Sequence, residues 1–257
     1  MSAKPRVFVL WFGGHPMPPV RQECVQSLRD GGLDVVLLTD DDVPDWVLPD
    51  APLVPAYWLL TPIQRSDYFR AYLMHHHGGA YTDIKKPEGS WLPGLQQLAD
   101  DPNLWAVGYP VERWNVSTCG IEPHPRYQPW RLRWFRYRWM QLNHTKIMGG
   151  GGFGFKPRTE LTRRWLEGVE ARVREKTPAL QANPGRYSKE RYGDINDGTV
   201  SKYPVPWLYL AGDVLHPLSY RYRRHVARIL PRLSFEDYQD PRPDYNSGPR
   251  DLANRDR

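Results

Sequence analysis

Residues 61–91 constrain the fold most, because they predict a helix, a glycine turn and a strand in immediate succession. Thr61 can cap a helix and Pro62 suits its first position, and apolar residues then recur at steps of three and four. Gly78 and Gly79 supply the left-handed backbone that commonly ends a helix. A short strand pattern follows at once. We therefore expect an α/β fold organised around this helix and strand.

Polar side chains on this helix and at the end of the strand indicate a binding site. Ser66 and Asp67 precede Arg70 by four and three residues, so the three share one side of the helix. Asp83 follows at the carboxyl edge of the strand, where open α/β sheets bind ligands. A carboxylate there can accept a hydrogen bond from a ribose or sugar hydroxyl, or bind a metal ion. An ordinary intrahelical ion pair beside a solvated aspartate would give the same spacing.

Two motifs stand out in this stretch, Ser66-Asp67-x-x-Arg70 and Gly78-Gly79-x-Tyr81-x-Asp83. Together they resemble the signature of the DXD-containing sugar-transferase families, above all the capsular polysaccharide synthesis proteins. The resemblance implies a GT-A-like α/β fold, Rossmann-like, with a mixed and mainly parallel sheet flanked by helices. It implies a glycosyltransferase that moves a sugar from a nucleotide-diphosphate sugar to a saccharide or lipid-linked glycan in capsule-like polysaccharide synthesis, with retention at the anomeric carbon.

The same resemblance assigns roles to individual residues. Donor binding falls on Trp11, Ser66, Asp67, Arg70 and Asp83, and a catalytic role on Asp83 and Arg70. Lys85, which departs from the family pattern, is a further catalytic candidate because of its charge. Trp11 follows the first predicted strand and can stack on the nucleotide base. A tryptophan that is simply part of the core would occupy the same position in the sequence.

Lys85 stands where the family pattern has a second carboxylate. An ammonium repels a divalent cation, so Lys85 can replace Mn²⁺ or Mg²⁺ by donating to the donor diphosphate, which would make the enzyme independent of metal. Alternatively, Lys85 faces solvent while Asp83, His216 and Asp213 hold the ion. His216 and Asp213 belong to a late segment, residues 210–217, that also resembles the family. A third possibility is a chain that binds nucleotide sugars without turning them over.

The glycine-rich residues 149–154 are a candidate for the acceptor side of the site. Glycine permits close approach of the backbone to a ligand, although the segment lacks the ending of a phosphate-binding loop. It resembles the family's acceptor-lining segment. This resemblance assigns Gly150, Gly151 and Phe153 to the acceptor side.

The run from Trp130 to Trp139 combines aromatic and basic residues and predicts a helix. Its apolar side chains fall on two opposite sides, Trp130, Trp134 and Tyr137 on one and Leu132, Phe135 and Trp139 on the other. One side can be buried, and the other can meet an acceptor glycan, with Trp134 as its contact, or an anionic membrane. A flap with solvated arginines explains the pattern equally well.

The 257 residues carry a formal net charge of +6, with an isoelectric point near 9.3, and this favours an anionic partner. No signature of a nucleic-acid-binding module accompanies the charge, so we expect no nucleic acid. The N-terminus lacks the apolar region of a signal peptide, which predicts a cytoplasmic protein, with peripheral contact at the inner membrane face. We expect one domain over residues 1–240 and a disordered tail over residues 241–257.

Overall fold

The computed structural model describes residues 4–117, 130–193, 195–196 and 198–234. Within these ranges the strands are β1 (Arg6–Leu10), β2 (Asp34–Leu38), β3 (Gly79–Thr82), β4 (Ala106–Pro110), β5 (Met148–Phe155), β6 (Ile195–Asn196), β7 (Thr199–Val200) and β8 (Val226–Ala227). The helices are α1 (Pro19–Asp30), α2 (Val43–Trp46), α3 (Pro62–His76), α4 (Leu92–Asp100), α5 (Trp130–Leu142), α6 (Glu160–Ala182) and α7 (Gly212–Arg221).

The main sheet has the strand order β2-β1-β3-β5-β4-β8, and β6 pairs separately with β7. Strand β1 pairs in parallel with β2 and β3, and β4 pairs in parallel with β8. Strand β5 runs antiparallel to both of its neighbours, β3 and β4. The other five strands of the sheet therefore point the same way. The chain is an α/β protein with a mixed sheet flanked by helices, which is compatible with a Rossmann-like fold.

Alternating side chains of β1 pack into two separate cores, one on each face of the sheet. Val7 and Val9 join the core formed with α1 and α4. Phe8 and Leu10 join the larger core formed with α3, α6 and α7. Because successive side chains of a strand point to opposite faces, a continuous apolar run is what a strand covered on both sides requires.

The predicted central helix and strand are confirmed as α3 and β3. The Thr61 hydroxyl accepts a hydrogen bond from the Gln64 N–H at 3.4 Å and caps the start of α3. Gly78 adopts a φ of 67° and Gly79 a φ of 90°, so the chain reverses directly from α3 into β3. This reversal brings Asp83, just beyond β3, to the same edge of the sheet as the end of β1.

The glycine-rich segment forms a strand, β5. A Cβ on Gly152 would lie 2.4 Å from Trp91, and one on Gly154 would lie 2.7 Å from Leu95, so glycines on this face let α4 approach the sheet. Phe153 and Phe155 point to the opposite face and are buried. Phe153 packs between Tyr81 and Trp165, with ring centroids 5.3 and 5.4 Å away. Phe153 therefore lies in the core, and its predicted place on the acceptor side is wrong.

The ranges that the structure describes contain no helix that is both long enough and apolar enough to cross a lipid bilayer. Residues 235–257, which include the predicted tail and the end of the predicted domain, lie outside the described residues. The six strands of the main sheet come from both halves of the chain, from Arg6 to Ala227.

Substitution of Gly152 by alanine tests the close packing of α4 on β5. The new methyl group would clash with Trp91, which is itself fully buried, and overpacking of this kind costs roughly 1–3 kcal/mol of unfolding free energy. Gly150→Ala is the matched control, because nothing lies within 4 Å of a methyl group at that position of the same strand. Urea denaturation of both variants would measure the difference, and equal stabilities would contradict this packing.

Candidate functional site

A cavity of about 590 Å³ opens at the edge of the sheet where β1, β3 and β4 end. Because β5 runs in the opposite direction, its first residues reach the same edge. The Asp83 N–H donates to the Gly151 carbonyl oxygen at 2.7 Å. A Cβ on Gly151 would lie 2.8 Å from the Tyr109 hydroxyl and 3.0 Å from Asp83 Oδ2, so glycine is required for this approach. The cavity thus lies where open α/β sheets bind ligands.

The wall of the cavity combines positive charge, carboxylates and aromatic rings. The cationic side chains are Arg21, Arg70, Lys85, Lys189 and Arg232, and the carboxylates are Asp67, Asp83 and Glu112. The aromatic side chains are Trp11, Phe12, Tyr81, Tyr109, Trp114 and Trp207. Positive charge is in excess, so the cavity favours an anionic ligand over a cationic one.

Asp67 and Arg70 form a buried ion pair on α3, one helical turn apart. Arg70 Nη1 also donates to the Gly150 carbonyl oxygen at 2.9 Å, and the guanidinium carbon lies 5.3 Å from the centre of the Tyr81 ring. Burial raises the pKa of Asp67 to about 6, against the opposing effect of Arg70, and the nearby Asp83 adds to the rise. Arg70 therefore ties helix α3 to the start of β5.

Asp83 is held on both of its carboxylate oxygens. The Tyr81 hydroxyl donates to Oδ1 at 3.0 Å, and Lys85 Nζ donates to Oδ2 at 3.0 Å. Arg70 Nη1 lies 4.0 Å from Oδ1. Burial opposes ionisation, but Lys85, Arg70 and Tyr81 together hold the pKa of Asp83 below its ordinary value. The side chain remains 31% exposed, so the ionised carboxylate is accessible from the cavity.

Lys85 points into the cavity and not to solvent. Its side chain is buried and lines the cavity wall, and its backbone N–H donates to the Asp83 carbonyl oxygen at 2.7 Å. This tight turn directs the ammonium back onto the Asp83 carboxylate. The alternative in which Lys85 turns outward is therefore wrong. The next residue, Lys86, is the exposed lysine of the pair.

Asp83, His216 and Asp213 do not form the predicted metal-binding set. In the described part of the chain, no three His, Cys, Asp or Glu side chains group in a way that could hold a metal ion. Asp213 accepts a hydrogen bond from the Ser117 hydroxyl and lies 3.8 Å from Arg172, and it is not part of the cavity wall. His216 does line the cavity, but the Asp83 carboxylate already accepts a hydrogen bond from the Lys85 ammonium. These residues do not fit Mn²⁺ or Mg²⁺ held by the three side chains.

The other predicted site residues divide between the cavity and the rest of the surface. Ser66, Gly150 and Gly151 line the cavity, and Ser66 Oγ lies 3.5 Å from the Tyr81 hydroxyl. Trp11 also lines the cavity and is partly buried, with its indole N–H donating to the His15 carbonyl oxygen at 2.6 Å. Trp134 lies on α5, is exposed and is not part of the cavity wall.

Arg21, which was not among the predicted site residues, is a buried cation of the cavity wall. Its guanidinium donates to the carbonyl oxygen of Ile84, the residue between Asp83 and Lys85. The sequence pattern could have identified it, because Arg21 falls on the same apolar face of α1 as Cys24 and Leu28. A charged side chain is seldom buried on such a face unless it is paired or functional.

Comparison of the chain with models of known protein families, with curated proteins and with solved structures gives no match. The resemblance to the sugar-transferase families therefore stays a prediction. Its support has to come from the chemistry of the cavity.

Acid should destabilise the protein through His216. Burial lowers the pKa of His216 to about 4, and Arg70 adds to that effect. In the unfolded chain the pKa of this histidine is about 6.5. The free energy of unfolding is therefore unaffected by His216 above that pH, and it falls by about 2–3 kcal/mol as the pH drops towards 4. The Ser117 N–H donates to His216 Nδ1 at 3.0 Å, so protonation of Nδ1 would also break this hydrogen bond.

The measurement is the free energy of unfolding in urea at about pH 7 and at about pH 4.5. His216→Asn is the matched variant, because its side-chain oxygen can accept the Ser117 hydrogen bond and does not titrate. We expect a smaller loss of stability in acid for this variant. The same loss in both proteins would assign the acid sensitivity to other groups.

Proposed function

We propose that this chain is a GT-A-like glycosyltransferase that moves a sugar from a nucleotide-diphosphate sugar to a saccharide or lipid-linked glycan, in capsule-like polysaccharide synthesis and with retention. One observation carries the proposal. A single cavity combines carboxylates that can accept hydrogen bonds from sugar hydroxyls with cations that can bind a diphosphate. Its volume, about 590 Å³, is in the range of ~300–1,000 Å³ that is usual for small-molecule sites.

The carboxylates and the adjoining hydroxyl suit the ribose and the sugar of the donor. Asp83 is ionised, and each of its oxygens keeps a lone pair beyond those that Tyr81 and Lys85 occupy. Asp67 and Ser66 lie on the same side of α3 and line the same cavity. The ring of Trp11, beyond the end of β1, is available to stack on the base of the nucleotide.

Lys85 and Arg21 are the residues that suit the diphosphate. Arg21, on α1, donates to the carbonyl oxygen of Ile84, next to Lys85 in the chain, so Arg21 contacts the segment that carries Lys85 and both cations line the cavity. When the bond between the anomeric carbon and the diphosphate breaks, its electron pair stays on the phosphate oxygen. The new bond forms to the acceptor oxygen, whose proton is released. Fixed cations beside the departing phosphate stabilise the negative charge that develops there.

The position of Lys85 favours an ammonium over a metal ion in this role. At about 4 Å and an effective dielectric constant near 20, each unit of charge product contributes roughly 4 kcal/mol. The charge product of a divalent ion and the Lys85 ammonium is two, so an ion bound to Asp83 would be repelled by twice that energy. Lys85 donates a hydrogen bond to the same carboxylate at 3.0 Å. A phosphate beside Lys85, away from the Asp83 carboxylate, would instead be attracted by the ammonium. We therefore propose that Lys85 takes the part of the metal in this chain.

Turnover of nucleotide sugars, measured as released nucleoside diphosphate, tests the role of Lys85. We expect turnover that persists in chelator and that falls by about 10²–10³-fold in Lys85→Ala, the usual loss when one charge-stabilising donor is removed. Lys86→Ala is the matched control, because its side chain is exposed and outside the cavity wall. Asp83→Ala should also reduce turnover, since it removes the carboxylate that holds Lys85.

Other outcomes of this assay distinguish the alternatives. Strict dependence on Mn²⁺ together with an active Lys85→Ala variant would rule out the replacement of the metal by lysine. Tight binding of a nucleotide sugar with no turnover of any donor would identify a binding protein. Neither binding nor turnover across a panel of uridine and guanosine diphosphate sugars would rule out the proposed function.

Arg21 should contribute to the affinity for the nucleoside diphosphate itself. Loss of a charge-assisted hydrogen bond costs roughly 1.5–3 kcal/mol, so Arg21→Ala should weaken binding of uridine or guanosine diphosphate by about ten- to a hundredfold. Isothermal titration calorimetry measures this directly. Arg29→Ala, an exposed arginine in the last turn of the same helix, is the control. Equal affinities for the two variants would remove Arg21 from the diphosphate site.

A further inference from the structure

Helix α5 presents a stripe of large apolar side chains to solvent. Leu132, Phe135, Trp139 and Leu142 follow one another at steps of three and four residues, so they lie along one face of the helix. Each is between 56% and 69% exposed. A row of this kind is more than the scattered exposed apolar residues that are normal on a protein surface.

Packing of α5 on the rest of the protein fixes the direction of this stripe. Met140 is buried and packs with Val111, Val116 and Ile147, and Tyr137 packs against the same cluster. At about 100° per residue, Met140 and Tyr137 lie on the opposite side of the helix from Phe135. Of the two apolar sides found in the sequence, it is therefore the side of Leu132, Phe135 and Trp139 that faces outward.

The charge of α5 has one sign only. Four arginines and no acidic residue occur among its thirteen residues. Arg136 and Arg138 are both exposed, and by the same helical periodicity they fall on either side of the apolar stripe. An apolar stripe bordered by arginines and containing tryptophan is the arrangement of helices that lie in the interface of an anionic membrane.

We propose that α5 docks on an anionic lipid bilayer, with Leu132, Phe135 and Trp139 inserted among the acyl chains and with Arg136 and Arg138 at the lipid headgroups. A second copy of this chain is a poorer occupant. Pairing of two α5 helices face to face would bring their arginines together without any carboxylate from α5 to offset them. Acidic headgroups complement the same arginines.

Helix α5 also contacts a turn at the rim of the cavity. Gln141 Nε2 on α5 donates to the Arg113 carbonyl oxygen at 3.5 Å, in the short turn Arg113–Asn115. The next residue of that turn, Trp114, is 75% exposed and lines the cavity. Helix α5 therefore packs beside the rim of the cavity, through a side of the helix that is turned away from the exposed stripe.

Co-sedimentation of the full chain with lipid vesicles tests this proposal without reference to any enzymatic activity. We expect binding to vesicles that contain phosphatidylglycerol, little binding to vesicles of phosphatidylcholine alone, and weaker binding at high salt. The double variant Phe135→Ser/Trp139→Ser should bind at least tenfold more weakly, because two apolar anchors are lost. Each of Arg136→Gln and Arg138→Gln should weaken binding by about fivefold.

The matched control is Trp58→Ser, which removes a tryptophan that is 51% exposed and lies outside α5. We expect this variant to bind as the unchanged protein does. Circular dichroism establishes that each variant is folded, and sedimentation velocity measures self-association. The proposal is overturned if the unchanged protein does not bind anionic vesicles or binds phosphatidylcholine equally well. It is also overturned if the double variant keeps its vesicle binding, or if that variant loses only self-association, which would identify a second copy of the chain as the occupant.

Discussion

The approach of β5 to the end of β3 is the contact on which the cavity depends. Here the Asp83 N–H bonds to the Gly151 carbonyl oxygen, and one residue away Arg70 bonds to the Gly150 carbonyl oxygen. Helix α3, strand β3 and strand β5 are thus joined at one point. Any side chain at position 151 would push against Tyr109 and Asp83 and separate these elements. The glycines of β5 are therefore a geometric requirement of the site as well as of the packing of α4.

The charges at this junction balance one another. Asp67, Arg70, Asp83 and Lys85 are two carboxylates and two cations in mutual contact, and burial of each is tolerable only because its partner is present. The remaining charges of the wall, Arg21, Lys189 and Arg232 against Glu112, leave an excess of positive charge. An anion can enter such a cavity without disturbing the central cluster, whereas a divalent cation would compete with Arg70 and Lys85 for the same carboxylates.

Local features of the sequence predicted α3 and β3, because the helix cap, the glycine turn and the helical spacing all act within a few residues. The helical spacing of three residues predicted that Asp67 and Arg70 lie together. The position of Asp83 at the carboxyl end of β3 predicted that it lies near them. Contacts distant in sequence were not predictable in this way. The contact of Arg21 with Ile84 spans sixty-three positions and depends on how α1 packs beside β3. The spacing of neighbouring residues gives no information about contacts between residues so far apart in the chain.

Two incorrect predictions have specific physical causes. A run of glycines has little propensity for strand, so β5 was not recognised, and without its alternation Phe153 could not be assigned to the core. Asp213 was assigned to the metal site with His216 because residues 210–217 resemble a late motif of the sugar-transferase families. In the structure Asp213 bonds to Ser117 and lies near Arg172, so it is paired within the protein and is not part of the cavity wall.

The outward side of α5 was undecided in the sequence for a related reason. Both of its sides carry large apolar residues, so amphipathicity alone cannot orient the helix. The cluster of Val111, Val116 and Ile147 takes up Met140 and thereby leaves Phe135 outside. Val111 and Val116 of this cluster belong to the segment that follows β4, and both also line the cavity. The orientation of the exposed stripe and the shape of the cavity are therefore set by the same packing.

A lysine in place of a metal ion would change how the site works. An ammonium is tethered to the chain, so it needs no separate binding step and is already oriented before the donor arrives. It carries one positive charge where a divalent ion carries two, and the guanidinium of Arg21, which contacts the same segment from α1, supplies a second. Asp83 then acts on Lys85 as it would on a metal, by fixing the position of the positive charge through one carboxylate oxygen. A second carboxylate at position 85 would bring a third negative charge to Asp67 and Asp83 in place of a positive one, and only a cation could offset it. Lysine at this position is consistent with a cluster that is neutral without an added ion.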